Sequence, residues 1–230
     1  MKLSIIICVF NEVSTIEEVY REVANINLLN NIEKEIIIID NHSSDGTTEI
    51  LKTIKKEAST KIIYQNKNFG KGNSIIEGIK KASGDLVIFQ DADKEYSPQN
   101  YNKLLEKLLS NNLDAVFGSR ILENKNYHLY TLNKIAVVLL TNLINFLYGA
   151  KFTDTATNHK LIKTEVLKKL ELKSKSFALD FEIALKLAKF NYSYSEVPII
   201  YKSRKYKDGK KISYIDAFKS FFVIIYNKIT

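Results

Sequence analysis

Four runs of apolar, mostly β-branched residues punctuate the first part of the chain: LSIIICVF (3–10), EIIIID (35–40), KIIYQN (61–66) and DLVIFQDAD (85–93). Their apolar cores do not alternate with polar residues, so each strand needs cover on both faces, as in the parallel sheets of α/β domains. The segments between them carry helical spacing. Ile16, Val19, Val23 and Ile26 share one face, and Ile50, Leu51, Ile54 and Ile75, Ile76, Ile79 mark two further helices. Ser14-Thr15-Ile16-Glu17 reads as a capping box at the start of the first helix. The expectation is an α/β fold with a mostly parallel central sheet, right-handed crossovers and helices on both faces.

The second part is less regular. DAVFGSR predicts a short strand ending at Arg120, followed by an apolar helix over 129–148, a helix over 164–170 and another within FALDFEIALKLAKF. Strand-like SEVPIIY, the basic segment KSRKYKDGKKI and a last helix close the chain. With two prolines and no Pro/Gly-rich linker or repeat, a single domain over 1–230 is expected.

Composition narrows the function classes. Cys8 is the single cysteine and sits inside an apolar run, which excludes a disulfide framework and a cysteine zinc site and fits a reducing compartment. His42, His128 and His159 lack metal-ligand spacing. The Met-Lys start shows no secretory signal pattern, and the apolar stretch 135–147 falls short of the ~20 residues that span a bilayer. A cytoplasmic protein is expected, with peripheral contact to the inner face of the membrane. The net charge of +8 points to anionic partners: nucleic acid, phosphorylated small molecules or anionic lipid. Aromatic residues are too sparsely interleaved with the basic ones for a nucleic-acid stacking platform, so no nucleic acid is expected.

In open α/β sheets ligands bind beyond the carboxyl ends of the strands, which directs attention to the polar residues there. Asp91 and Asp93 lie two apart where the chain leaves the fourth strand, and both can turn toward one hard cation, with further oxygens from a diphosphate. Asp40 ends the second strand, where a carboxylate can receive a nucleotide's ribose or base, while Asp45 and Gly46 suit the turn and helix cap. NFGKGNS fails the P-loop pattern, yet Gly70, Lys71 and Gly72 before a helix offer an anion site. No G-x-G-x-x-G follows the first strand, which argues against a Rossmann oxidoreductase. Lys202, Arg204, Lys205, Lys207, Lys210 and Lys211 crowd six charges into ten residues, a solvated face, a phosphate clamp or a contact with lipid headgroups.

Taken in order, VFNE, DNHSSDGT, NFGKGNSIIEGIKKASGD, FQDADKEYSP, FGSR and YKSRKYKDGKKI resemble the family 2 glycosyltransferases over nearly the whole chain. The branch they are most similar to contains the dolichol- or polyprenyl-phosphate mannose and glucose synthases. The resemblance implies a GT-A, Rossmann-like fold, with a nucleotide-sugar-binding half (1–120) and an acceptor half (121–230). It implies that Val9, Asn11, Glu12 and Asp40 hold the nucleoside and that Asp91 meets the donor near its diphosphate and sugar. Asp93 and Glu95, with Asp91, would coordinate Mg²⁺ or Mn²⁺, and Arg120, Arg204 and Lys210 would face phosphate groups. Asp154 would open the acceptor side. Where relatives usually carry Gly-Phe-Arg this chain has Asn158-His159-Lys160, and a lysine keeps the charge without the bidentate fork.

The implied reaction inverts the anomeric centre in one in-line displacement, moving a hexose from a GDP- or UDP-sugar to an acceptor. A polyprenyl phosphate is already ionised and needs no strong base; a glycan hydroxyl does. Asp180 and Glu182, inside the acceptor half, are the candidate bases. Two other readings compete: a sugar-nucleotide nucleotidyltransferase, which needs a Gly-rich loop where Asn11-Glu12 stands, and a non-catalytic nucleotide-sugar binder, which predicts a missing metal carboxylate. The apolar helix over 129–148 and the last helix, with Ile215, Phe218, Phe222, Ile225 and Ile229 on one stripe, could lie in the headgroup region.

Overall fold

A computed structural model describes residues 1–54, 59–122, 131–204 and 214–229. The apolar runs form β1 (Lys2–Val9), β2 (Glu33–Asp40), β3 (Thr60–Tyr64) and β4 (Leu86–Asp91), all parallel, joined through α1 (Ile16–Asn25), α2 (Thr47–Thr53) and α3 (Lys71–Lys81). After α4 (Tyr101–Ser110) come β5 (Ala115–Ser119), α5 (Thr131–Tyr148), β6 (Lys160–Lys163), α6 (Thr164–Lys169), α7 (Leu179–Lys189), β7 (Tyr194–Pro198) and α8 (Tyr214–Ile229). The sheet runs β3-β2-β1-β4-β6-β5-β7, and β6 is antiparallel to both of its neighbours. The expected mostly parallel sheet is therefore present, with one reversed strand set into it.

Both faces of the sheet are buried, as the two-sided apolar runs require. Leu3, Ile5 and Ile7, with Ile36, Ile38 and Ile88, pack beneath α1 and α4. Their neighbours in sequence, Ile6, Ile37, Ile39, Val87 and Phe89, face α3, α5, α6, α7 and α8. Register decides what lies at the sheet's carboxyl edge. Val9 pairs with Asp40, Cys8 with Asp91 and Asp40 with Tyr64, so the polar strand ends fall in one row.

The capping box does not form. Thr15 is the N-cap of α1 and makes no capping hydrogen bond. Its hydroxyl instead donates to the Ala92 carbonyl at 2.7 Å, tying α1 to the Asp91–Asp93 turn, while Glu17 pairs with Arg21. Tertiary contact outcompetes the local cap here.

Helices α5 and α8 lie against each other and both touch α7. Their outer faces stay apolar and exposed: Leu132, Leu139 and Phe146 on α5, and Phe218, Phe222, Tyr226 and Ile229 on α8. Among the described residues no helix is long and apolar enough to cross a membrane.

Candidate active site

A cavity of 750 Å³ opens at the carboxyl edge of the sheet. Its wall includes the charged residues Glu12, Lys71, Asp91, Asp93, Arg120 and Arg204, together with Val137 and Leu140 of α5, Phe181 of α7 and Ala217 of α8.

Asp91, the last residue of β4, faces Lys71 at 2.8 Å. Burial opposes the charge of that ammonium, and Asp91 and Asp180 more than restore it, so the Lys71 pKa is raised. The glycines beside it lie against another stretch of backbone. Gly70 has φ +91°, and a Cβ there would stand 2.3 Å from the Lys175 carbonyl oxygen; one at Gly72 would stand 2.4 Å from that of Ser174. The Asn73 amide already donates to the Lys175 carbonyl. The start of α3 thus receives a backbone segment, and Lys71 carries the charge into the cavity.

Asp93 accepts from the Glu95 amide at 3.1 Å and meets Arg204 at 3.0 Å. Burial first, then the negative charges of Asp91 and Glu95, push its carboxyl up to about 7 against the pull of Arg204. The Arg204 guanidinium also spans both oxygens of Glu12 at 2.9 Å. Glu95, expected among the metal ligands, holds the 201–204 segment: its oxygens accept from the Tyr201 hydroxyl (2.9 Å) and the Arg204 amide (2.7 Å).

Asp154, fully buried, grips Arg120 in a fork with Nε and Nη2 at 2.7 and 2.8 Å, and accepts from its amide. That guanidinium also lies over the Tyr201 ring, 5.1 Å from its centroid. Asp180 lines the cavity and pairs with Lys160, which is wholly buried; burial lowers the lysine's pKa and Asp180 opposes the fall. Glu182 takes no part in the cavity wall. It accepts from the Lys173 and Ser174 amides and pairs with Lys186, fixing the loop that covers α3.

The first turns are built by Asn11 and Asp40. Asn11, at φ +52°, accepts from the Ser44 amide, and Asp40 accepts from the Ser43 amide and the Thr48 hydroxyl. Asp45 accepts from the Thr47 amide and Gly46, the N-cap of α2, adopts φ +102°, as the turn reading expected. The cavity wall also includes Val9, Asn41 and Asn68. Lys210 lies outside the described residues. Sequence reasoning missed Tyr96 and Tyr201, which line the cavity and carry no charge signal.

Among the described residues no three His, Cys, Asp or Glu side chains gather closely enough to enclose a cation. Asp91 and Asp93 supply two carboxylates, and Asp93 sits where added positive charge is favoured. This fits Mg²⁺ or Mn²⁺ sharing its shell with diphosphate oxygens, the usual arrangement for a hard cation with few protein ligands.

The profile described as "Glycosyl transferase family 2" matches residues 4–171. The chain is 28% identical over 189 residues to a dolichol-phosphate mannosyltransferase of Pyrococcus furiosus, covering 81% of this chain and 53% of that protein. It therefore spans about half that relative's length. An uncharacterized protein of Methanocaldococcus jannaschii is 31% identical over 218 residues, covering 91% of this chain and 90% of that one. Among solved structures, glucosyl-3-phosphoglycerate synthase from Mycobacterium tuberculosis in complex with Mn²⁺, uridine diphosphate and phosphoglyceric acid superposes with a TM-score of 0.69. That match has 16% identity and covers 99% of this chain and 78% of the other. S. aureus TarS in complex with UDP-GlcNAc gives 0.63 at 18% identity, covering 97% and 65%. At such identities the likeness is one of fold.

Proposed function

The chain belongs to glycosyl transferase family 2, and from that premise we propose that it moves a hexose from a nucleotide-diphosphate sugar to a polyprenyl phosphate at a membrane surface. The observation that carries this reading is a cavity whose wall joins the charged residues at the strand ends to Val137 and Leu140 of α5 and Ala217 of α8, helices whose outer faces are exposed and apolar.

Around the charged residues the chemistry is leaving-group stabilisation. As the bond between the anomeric carbon and the diphosphate lengthens, negative charge grows on the departing nucleoside diphosphate. Arg204, Arg120 and Lys71 are fixed by their carboxylate partners before substrate arrives, so little reorganisation is needed when that charge develops. A divalent cation bound by Asp91 and Asp93 would supply Lewis-acid stabilisation of the same diphosphate. Val9, Asn41 and Asn68 line the wall where the nucleoside would lie.

Val137, Leu140 and Ala217 offer a lining suited to an isoprenoid chain, with its phosphate directed toward the basic groups. Such an acceptor is already anionic and attacks from the face opposite the leaving group, inverting the centre. A glycan hydroxyl is the second reading, favoured by Asp180 on the wall; Lys160 already engages one of that residue's oxygens, which weakens it as a base.

A transfer assay tests the proposal: purified protein, Mn²⁺ and a panel of UDP- and GDP-sugars, with and without a polyprenyl phosphate. Nucleoside diphosphate release that requires the lipid supports it. Release indifferent to the lipid moves the acceptor to a glycan.

A further inference from the structure

Asn158 lies on the cavity wall in the turn before β6 and is 3% exposed. Its amide N–H donates to the Tyr96 hydroxyl at 3.2 Å, which fixes the main chain. Its side-chain Oδ1 is buried and finds no hydrogen-bond partner among the described residues. Buried polar atoms are nearly always satisfied, so an orphan on a residue of the cavity wall points to a group that arrives with the ligand.

Asn158 also differs from its surroundings. The charged side chains near it are already matched: Asp91 with Lys71, Arg120 with Asp154, Asp180 with Lys160. What remains is a neutral amide, with one acceptor and one donor group. A phosphate oxygen only accepts and an isoprenoid chain does neither. A hydroxyl both gives and takes, and so satisfies the amide whichever way it is turned. Tyr96, to which the Asn158 backbone is tied, follows Asp91 and Asp93 on the same loop. Asn158 is therefore held beside the loop that carries Asp91 and Asp93, where a sugar leaving a diphosphate must sit.

We propose that Asn158 reads a hydroxyl of the transferred sugar and sets which hexose is accepted, an inference that rests on the nucleotide-sugar reading above. Sites that hydrogen-bond a substrate hydroxyl discriminate against the analogue that misplaces it, because the buried polar group is then left unpaired.

Calorimetry on the wild type, Asn158→Ala and Asn158→Ser tests this. Each would be titrated with free UDP and GDP and with their hexose esters differing at a single hydroxyl, and melting temperatures recorded alongside. The expected result is unchanged affinity for the free nucleoside diphosphate, roughly 5- to 10-fold weaker binding of the preferred sugar ester, and loss of the preference between epimers. Melting should not fall, since the side chain makes no hydrogen bond among the described residues. Retention of the wild-type epimer preference in both variants would overturn the proposal. So would an equal loss of affinity for sugar ester and free nucleoside diphosphate, which would mark a structural role. A wild type that binds neither nucleoside diphosphate nor sugar ester strikes down the nucleotide-sugar reading, and this proposal with it.

Discussion

Arg204 and Glu12 stand 192 residues apart in sequence and meet through two hydrogen bonds of 2.9 Å, with Asp93 on the same guanidinium at 3.0 Å. The first turn after β1 and the segment after β7 are thereby closed over the β4 turn by one side chain. Truncating one member of a desolvated, hydrogen-bonded charge group costs about 2–5 kcal/mol. Arg204→Ala is expected to lower kcat/KM for the donor by about 100-fold, measured by steady-state transfer kinetics. Arg204→Lys should recover only part of this, since it keeps the charge and loses the fork.

Metal binding should separate the acidic residues of the β4 turn. In the wild type, Mn²⁺ with a nucleoside diphosphate is expected to raise the melting temperature, as any ligand selective for the folded state does. Asp91→Asn and Asp93→Asn should abolish the metal-dependent part of that rise. Glu95→Gln should keep it, because the oxygens of Glu95 are committed to Tyr201 and the Arg204 amide. Differential scanning fluorimetry with and without metal reads all three.

Glu35 provides a pH test far from the chemistry. Burial alone would raise its carboxyl, but bonds from the Ser4 hydroxyl, the Ser83 amide and hydroxyl and the Lys61 ammonium hold it near 2, below the usual 4.5. A depressed folded-state pKa gives stability that is present above the unfolded value and lost as pH falls toward 2. Glu35→Gln is expected to cost about 2 kcal/mol at pH 7, discounted for the half-exposed Lys61. The gap from wild type in urea midpoint should shrink between pH 4.5 and 2, with turnover at pH 7 unchanged.

The strands and their carboxyl edge were legible because a run apolar on both faces leaves few alternatives to a covered parallel sheet, and the polar residue ending each run then marks the ligand edge. Asp91 and Asp93 were readable on that ground. The backbone partners of Glu182 and Glu95 were not: amides of Lys173, Ser174 and Arg204 bind their oxygens, and backbone donors leave no trace in side-chain identity. Strand β6 also escaped notice, since KLIK is too short for a period and its reversal follows from its neighbours. The close approach of the Ser174 and Lys175 carbonyls to Gly70 and Gly72 is likewise invisible in the sequence, since it joins segments far apart in the chain.

Lys160 and Asp180 form a buried pair whose members are not equivalent. Asp180→Asn leaves a wholly buried ammonium without its counter-charge and is expected to destabilise the fold by about 3 kcal/mol. Adding Lys160→Met should restore much of that stability. Turnover in the double variant distinguishes the roles of Asp180: restored turnover assigns it to holding Lys160, and lost turnover places it at the acceptor.

The apolar face of α5 and α8 makes the membrane part of the proposal testable alone. Wild type is expected to float with vesicles containing anionic lipid, and Phe218→Glu with Phe222→Glu to remain in the soluble fraction, the two rings being 65% and 53% exposed. Free nucleoside diphosphate binding should be the same in both.

The position of β6 bears on how the chain can be divided. Strands β4 and β5 follow each other in sequence, yet the strand that separates them begins at Lys160. A fragment ending at residue 120 would carry β4 with one edge bare and β5 with no neighbour, the kind of surface that recruits other chains. Such a fragment is expected to aggregate. During synthesis β4 gains its second neighbour only once residues 160–163 have been made.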